Sequence, residues 1–89
     1  MDDSKSLAIA GKVNAVIHDV LDCDRDDILP HVTMDDLRAD SLDVSDIVMV
    51  LEDHFGIDLG WLEDADHEVM MALTVGEISE AVEKEMEGR

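Results

Sequence analysis

Aromatic side chains are almost absent from this chain: Phe55 and Trp61 are the only two, and there is no tyrosine. Any core must therefore be built from Leu, Ile, Val, Met and Ala. Basic residues are nearly as scarce. Six Lys and Arg stand against 24 Asp and Glu, a formal net charge of −18 over 89 residues. Nucleic-acid binding needs a basic footprint, which such a chain lacks. Docking on anionic lipid is disfavoured on the same ground. Proline occurs once, at Pro30, and cysteine once, at Cys23. A lone cysteine cannot close an intramolecular disulfide, and it suits a reducing compartment. No apolar run approaches the roughly 20 residues needed to cross a bilayer. The start, Met1-Asp2-Asp3-Ser4-Lys5, is acidic and lacks an apolar segment, so a secretory leader is not expected. A cytoplasmic protein without stable membrane insertion is the expectation.

What is present points to a folded chain. Apolar residues make up 46% of it, too many for a disordered segment. The length suits one small domain over residues 1–89, expected to be a monomer. A domain of this size buries only about 60% of its unfolded surface, so a deep catalytic cleft is not expected. The excess of carboxylates favours basic protein partners reached by electrostatic steering.

Periodicity predicts four helices and no sheet. The first runs from about Ser4 to Leu21, with Leu7, Ala10, Val13, Ile17 and Val20 as its apolar stripe. A long connection from Asp22 to Ala39 follows, in which Ile28, Leu29, Val32, Met34 and Leu37 are candidates to pin it to the core. Loops this long are uncommon in a compact domain unless functional. Asp40 is a good N-cap residue for a second helix that reaches about Phe55, and Gly56 is its C-terminal stop. Ile47, Val48, Leu51 and Phe55 form its inward face. Leu42, Ser45, Asp46, Met49, Glu52 and Asp53 point elsewhere. The region from Gly60 to Leu73 reads as one short helix or as two turns broken in the middle. Thr74-Val75-Gly76-Glu77 is an S/T-x-x-E capping box that opens the last helix through Ile78, Ala81, Val82 and Met86. The fold class is all-α, a small helical bundle.

Several residues invite chemistry. Asp22, Asp24 and Asp26 have the spacing of a calcium loop, but that loop needs Gly at its sixth position and Glu at its twelfth. Those places hold Asp27 and Thr33, so a solubilising acidic loop is the better reading, with loose cation binding still open. The histidines, His18, His31, His54 and His67, are scattered and form no metal or nucleophile motif. Ser41 lies at the predicted loop-to-helix boundary. A serine there is a common cap. It is equally an exposed hydroxyl at the positive end of a helix dipole, a setting suited to an anionic modification.

The stretch Arg38-Ala39-Asp40-Ser41-Leu42-Asp43 resembles the prosthetic-group site of acyl carrier proteins, whose motif is Gly-x-Asp-Ser-Leu. The usual glycine is replaced here by Arg38. Ile47-Val48-Met49-Val50-Leu51-Glu52-Asp53, Phe55-Gly56-Ile57 and Thr74-Val75-Gly76-Glu77-Ile78 extend the similarity over nearly the whole chain. The resemblance implies a four-helix acyl-carrier-like bundle with a long loop between the first two helices. It implies 4′-phosphopantetheine, taken from coenzyme A by a phosphopantetheinyl transferase, as a phosphodiester on Ser41. It implies no catalysis by the chain itself, which would present acyl groups as thioesters to enzymes of fatty-acid or specialised lipid biosynthesis. The family's docking face maps onto Asp40, Leu42, Asp43, Asp46, Met49, Glu52 and Asp53, where carboxylates surround apolar Leu42 and Met49. Enzymes with basic patches are the matching partners. Candidate residues for sheltering the acyl chain are Ile47, Val48, Leu51, Phe55, Trp61, Met70 and Met71.

Two departures from the family pattern accompany the match. Arg38 puts a positive charge beside the serine, and the segment from Gly60 to Leu73 is longer than in common carriers. Both favour a dedicated carrier over a housekeeping one, and the longer segment is expected to border the acyl chain. A discrete carrier for polyketide or nonribosomal peptide synthesis stays open. So does an unmodified acidic module that binds proteins or cations.

Self-repulsion among so many carboxylates should weaken the fold at low ionic strength. The melting temperature is expected to rise by several degrees when sodium chloride, magnesium or calcium is added. A flat response in calorimetry would show that the charges are already well spaced or paired.

Overall fold

A computed structural model describes residues 3–87, and the side chains of residues 7–62 and 64–87. Residues 1–2 and 88–89, at the ends of the expected 1–89 domain, lie outside the described residues. Five helices follow one another: α1 (Asp3–Leu21), α2 (Ser41–Phe55), α3 (Gly60–Glu63), α4 (His67–Ala72) and α5 (Val75–Glu87). The described residues contain no strand, only an isolated antiparallel bridge between Thr33 and Thr74. The all-α class expected from periodicity is the class observed, and the broken reading of Gly60–Leu73 is the correct one.

Helix α1 packs against both α5 and α2. Its buried residues are Ile9, Val13, Val16 and Ile17, with Val20 and Leu21 packed against the core edge. The expected stripe is thus rotated. Leu7 is 73% exposed, and Ile9 and Val16 take the inward places. At about 100° per residue, Leu7 lies roughly 200° round the helix from Ile9, so both cannot face the same partner. The helix stops at Asp22, which takes a left-handed φ of 54° and donates its amide to the His18 carbonyl at 2.9 Å. The His18 ring then hydrogen-bonds the Cys23 carbonyl, holding the chain as it leaves the helix.

The connection from Asp22 to Asp40 is not slack. A 3₁₀ turn at Arg25–Asp27 leads into Ile28, which is buried. Beyond Pro30 the chain runs beside the α4–α5 junction. Met34 and Asp35 donate their amides to the carbonyls of Leu73 and Met71, at 2.9 and 3.0 Å. In return Val75 and Gly76 donate to the carbonyls of Val32 and Pro30, both at 2.9 Å. Of the expected anchors, Ile28 and Met34 are buried, Leu37 packs at the core edge, Val32 is half-buried and Leu29 is exposed. Leu29 differs because its amide and carbonyl shape the tight turn around Pro30, which carries its side chain outward. Gly76 suits this seam, because a side chain there would crowd it. A Cβ there would stand 3.1 Å from the Pro30 oxygen that its own amide binds.

Helix α5 begins where that seam ends, and each of its first donors has a partner. Val75 and Gly76 use the loop carbonyls, and Glu77 uses Thr74 Oγ1 at 3.0 Å. Thr74 in turn donates its amide to Glu77 Oε1 at 3.0 Å. The capping box expected from sequence is present in full. No amide of that first turn is left in want of water, which lets Val75 be buried there.

Helices α3 and α4 are too short to be stable alone. Leu59 and Leu62 hold the first and Met70 the second by burial in the common core. Two side chains brace the approach. Glu52 Oε2 accepts the Leu59 amide at 2.7 Å, and Asp58 Oδ1 accepts the Gly60 amide at 2.8 Å.

Removing the Thr74 hydroxyl should cost about 1 kcal/mol, the usual worth of a cap. For a chain of this size Thr74→Ala should lower the melting temperature by roughly 4–8 °C per kcal/mol lost. Thr74→Ser should keep most of the stability. Equal losses in the two variants would show that the hydroxyl does not cap α5.

Candidate functional site

The site begins with a turn that ends abruptly. Thr33 and Asp36 bond reciprocally, amide to side chain, at 3.1 and 3.0 Å, and open one helical turn. Ala39 returns its amide to the Met34 carbonyl at 3.0 Å and buries its methyl. Between them Arg38 sits at φ 60°. Left-handed backbone costs an ordinary residue about 1–2 kcal/mol and glycine almost nothing. This explains in physical terms why a glycine suits that place in the motif.

Asp40 then adopts an extended backbone (φ −103°, ψ −179°) and caps α2. Its Oδ1 accepts the Asp43 amide at 2.9 Å, and Asp43 Oδ2 accepts the Asp40 amide at 3.2 Å. The cap is therefore Asp40, as expected, and Ser41 is the first residue inside the helix. Among the described residues nothing hydrogen-bonds the Ser41 hydroxyl, and the amides of Ser41 and Leu42 have no acceptor. The simple reading of Ser41 as a cap is thus removed. A half-buried hydroxyl without a partner stands beside two free N–H groups and the positive end of a 15-residue helix. That donor set fits a phosphodiester.

The rest of α2 divides by face. Val44, Ile47, Val48 and Leu51 are buried. Val44 was not among the residues expected inward, although it lies one turn before Val48. Leu42 and Met49 are 74% and 58% exposed, with Asp46 and Asp53 exposed on the same side. A shallow groove at the C-terminal end of this face is lined by Met49, Val50, Glu52 and Asp53. Not all the acids of the expected docking face are alike. Asp40 and Asp43 are tied in the cap, and Glu52 is half-buried with its carboxylate on the Leu59 amide. Glu52 carries structural work that sequence spacing did not reveal, because its partner lies across a turn. Asp46 and Asp53 have no such tie.

The residues expected to shelter an acyl chain do not all come together. Ile47, Val48, Leu51 and Met70 are packed in the common core, with Phe55 and Met71 against its edge. Trp61 is 57% exposed and lines a surface groove with Leu73, Glu77, Glu80, Ala81 and Lys84. Its assignment to the interior is corrected. Helix α3 has a single turn, and Leu62 takes the one inward place, which turns Trp61 outward. The Phe55 ring meets His54 edge-on, with centroids 4.9 Å apart.

Elsewhere the chemistry is quiet. Burial pushes the Cys23 thiol above its ordinary value, and the charges of Asp27, Asp24 and Asp22 add to the effect. A thiol kept protonated is a poor nucleophile. Among the described residues no group of three or more His, Cys, Asp or Glu side chains is placed to hold a metal ion. No described helix is long and apolar enough to cross a membrane.

Comparison with known proteins agrees with this geometry. The family described as "Phosphopantetheine attachment site" matches residues 11–82. The acyl carrier protein of Thermotoga maritima is 38% identical over 79 residues, covering 88% of this chain and 91% of the relative. That of Solidesulfovibrio magneticus is 37% identical over 54 residues, covering 60% of this chain and 69% of the relative. The chain belongs to the acyl carrier protein family: it is a carrier and not a catalyst, and its prosthetic group is 4′-phosphopantetheine.

Proposed function

We propose that residues 1–89 form one carrier domain whose arm is attached at Ser41, and that it carries acyl thioesters for fatty-acid or specialised lipid biosynthesis. The observation that carries the attachment point is the capping arrangement of α2. Asp40 performs the cap, so the Ser41 hydroxyl has no structural duty and is left for a modifying enzyme. When bound, the arm supplies the thiol that holds the acyl group. The chain's own part is to orient the attachment point through the buried Ala39 and the α2 cap. The amides of Ser41 and Leu42, which have no acceptor among the described residues, would offset the charge of a phosphodiester on Ser41.

The exposed side of α2 is the surface we assign to the phosphopantetheinyl transferase and to acyl-handling enzymes. Leu42 and Met49 supply an apolar centre, and methionine adapts to partners of different shape. The carboxylates around them give steering and register toward basic patches. Ile47, Val48, Leu51 and Met70, with Phe55 and Met71 at the edge, remain the interior against which a short acyl chain would lie. An arm tethered at Ser41 raises the concentration of its cargo at any docked active site.

Incubation with coenzyme A and an active transferase should add one phosphopantetheine to the wild type and none to Ser41→Ala, read by intact mass. An arm on the alanine variant would move the attachment point elsewhere. No arm on either protein would return the chain to an unmodified acidic module.

Charge reversal on α2 separates docking from folding. Asp46→Lys and Asp53→Lys should slow transferase modification on the order of tenfold at low salt, with little change in melting temperature. Glu52→Lys should also lower the melting temperature, because the Leu59 amide loses its acceptor. If Asp46→Lys left both the rate and its salt dependence untouched, this face would not be the docking surface.

A further inference from the structure

Arg38 occupies a backbone position that suits glycine, and its side chain is exposed. Residues kept in a sparsely populated conformation often mark function. The stronger observation concerns its charge. Carboxylates crowd this part of the chain, yet among the described residues none pairs with the Arg38 guanidinium. Of the nearest acids in sequence, Asp35 lines a different groove, with Thr33 and His67, and the others are tied to backbone amides. Asp36 accepts the Thr33 amide, and Asp40 and Asp43 accept each other's amides in the α2 cap. Asp27 and Asp36 share a surface depression with Arg38 without forming an ion pair to it. The remaining described cations, Lys12, Arg25 and Lys84, lie on α1, the 3₁₀ turn and α5.

We propose that Arg38 is a positioning residue for the prosthetic group: its guanidinium pairs with the phosphodiester on Ser41 and fixes the root of the arm. The inference rests on attachment at Ser41. A phosphodiester there adds negative charge next to the carboxylates of Asp40 and Asp43, in a chain of net charge −18. The amides of Ser41 and Leu42 offset part of that repulsion. Arg38 supplies the full positive charge that they lack, on a planar fork that matches phosphate oxygens two at a time. Three residues of chain span at most about 10–11 Å, within which an arginine side chain and an adduct on serine can meet. The buried Ala39 and the capped Asp40 lie between the two, so both ends of the pair start from fixed backbone. The contact restricts the first bonds of the arm, and the direction in which the thiol sweeps, while leaving the thiol end free.

Nuclear magnetic resonance of the apo and the modified chain tests this directly. Intact mass is read first, because a chain that takes no arm overturns the attachment reading and this inference together. With the arm installed, the Arg38 Nε–Hε signal should shift relative to the apo chain. The ³¹P signal should shift and sharpen in Arg38→Asn, with Arg38→Lys falling between it and the wild type. Asparagine tolerates the left-handed region, so that variant removes the charge and keeps the turn. Both effects should fade toward 1 M salt, where the Debye length falls to about 3 Å. A merely structural role for Arg38 would alter apo and modified chains alike and leave no salt dependence. A chain that gains the arm while its Arg38 and ³¹P signals stay unchanged would overturn the proposal and leave the carrier reading standing.

Discussion

The seam between the long connection and the start of α5 is the constraint on which the rest of this molecule depends. Four backbone hydrogen bonds, two in each direction, join residues 30–35 to residues 71–76. They satisfy the first donors of α5 and order a stretch that would otherwise be a costly loop, since each ordered residue loses roughly 1–2 kcal/mol of backbone entropy. Because that stretch leads directly into the α2 cap, the seam also determines where Ser41 stands. Ser41 is held by ordered backbone on one side, and its hydroxyl is without a partner among the described residues on the other. Here the firmness comes from backbone pairing and from buried Met34 and Ala39 rather than from bulk.

A chain with two aromatic residues and an excess of carboxylates has little apolar surface to spare. The structure spends its side-chain polar groups on the chain's bends. Asp40 with Asp43, Thr74 with Glu77, Thr33 with Asp36, Glu52 on Leu59 and Asp58 on Gly60 each satisfy an amide that the helices leave over. No buried polar side-chain atom among the described residues lacks a partner. The acids are therefore of two kinds. Some close turns, and others, such as Asp46 and Asp53, stand free beside Leu42 and Met49. Only the second kind is free of a backbone tie and fully available to a basic group.

The departures from the family pattern fall at two ends of this frame. Arg38 sits where the backbone favours glycine, immediately before the cap. The segment from Gly60 to Leu73 becomes two short helices, and Trp61 faces a groove beside α5 instead of the interior. Neither change disturbs the core that α1, α2 and α5 build. Both alter the exposed surface, one beside Ser41 and one beside α5.

Signals that act within four residues were legible in the amino-acid order. Asp40 as the cap of α2, Gly56 as its left-handed stop and Thr74 with Glu77 as a capping box all arise from local hydrogen bonds, so sequence spacing alone determined them. The Asp-Ser-Leu core of the motif and the acidic helix after it marked the family. Tertiary structure decided what depends on a partner distant in the chain. It turned α1 so that Ile9 rather than Leu7 is inside, and put Leu62 rather than Trp61 inward. It took Glu52 from the docking set to hold the Leu59 amide, and it stitched the long connection to α5. A periodic pattern says that a helix has an apolar face, but the angle at which that face meets its neighbours is set by packing. A backbone amide shows no preference in sequence for the carbonyl that will take it, and only the assembled fold brings the two together.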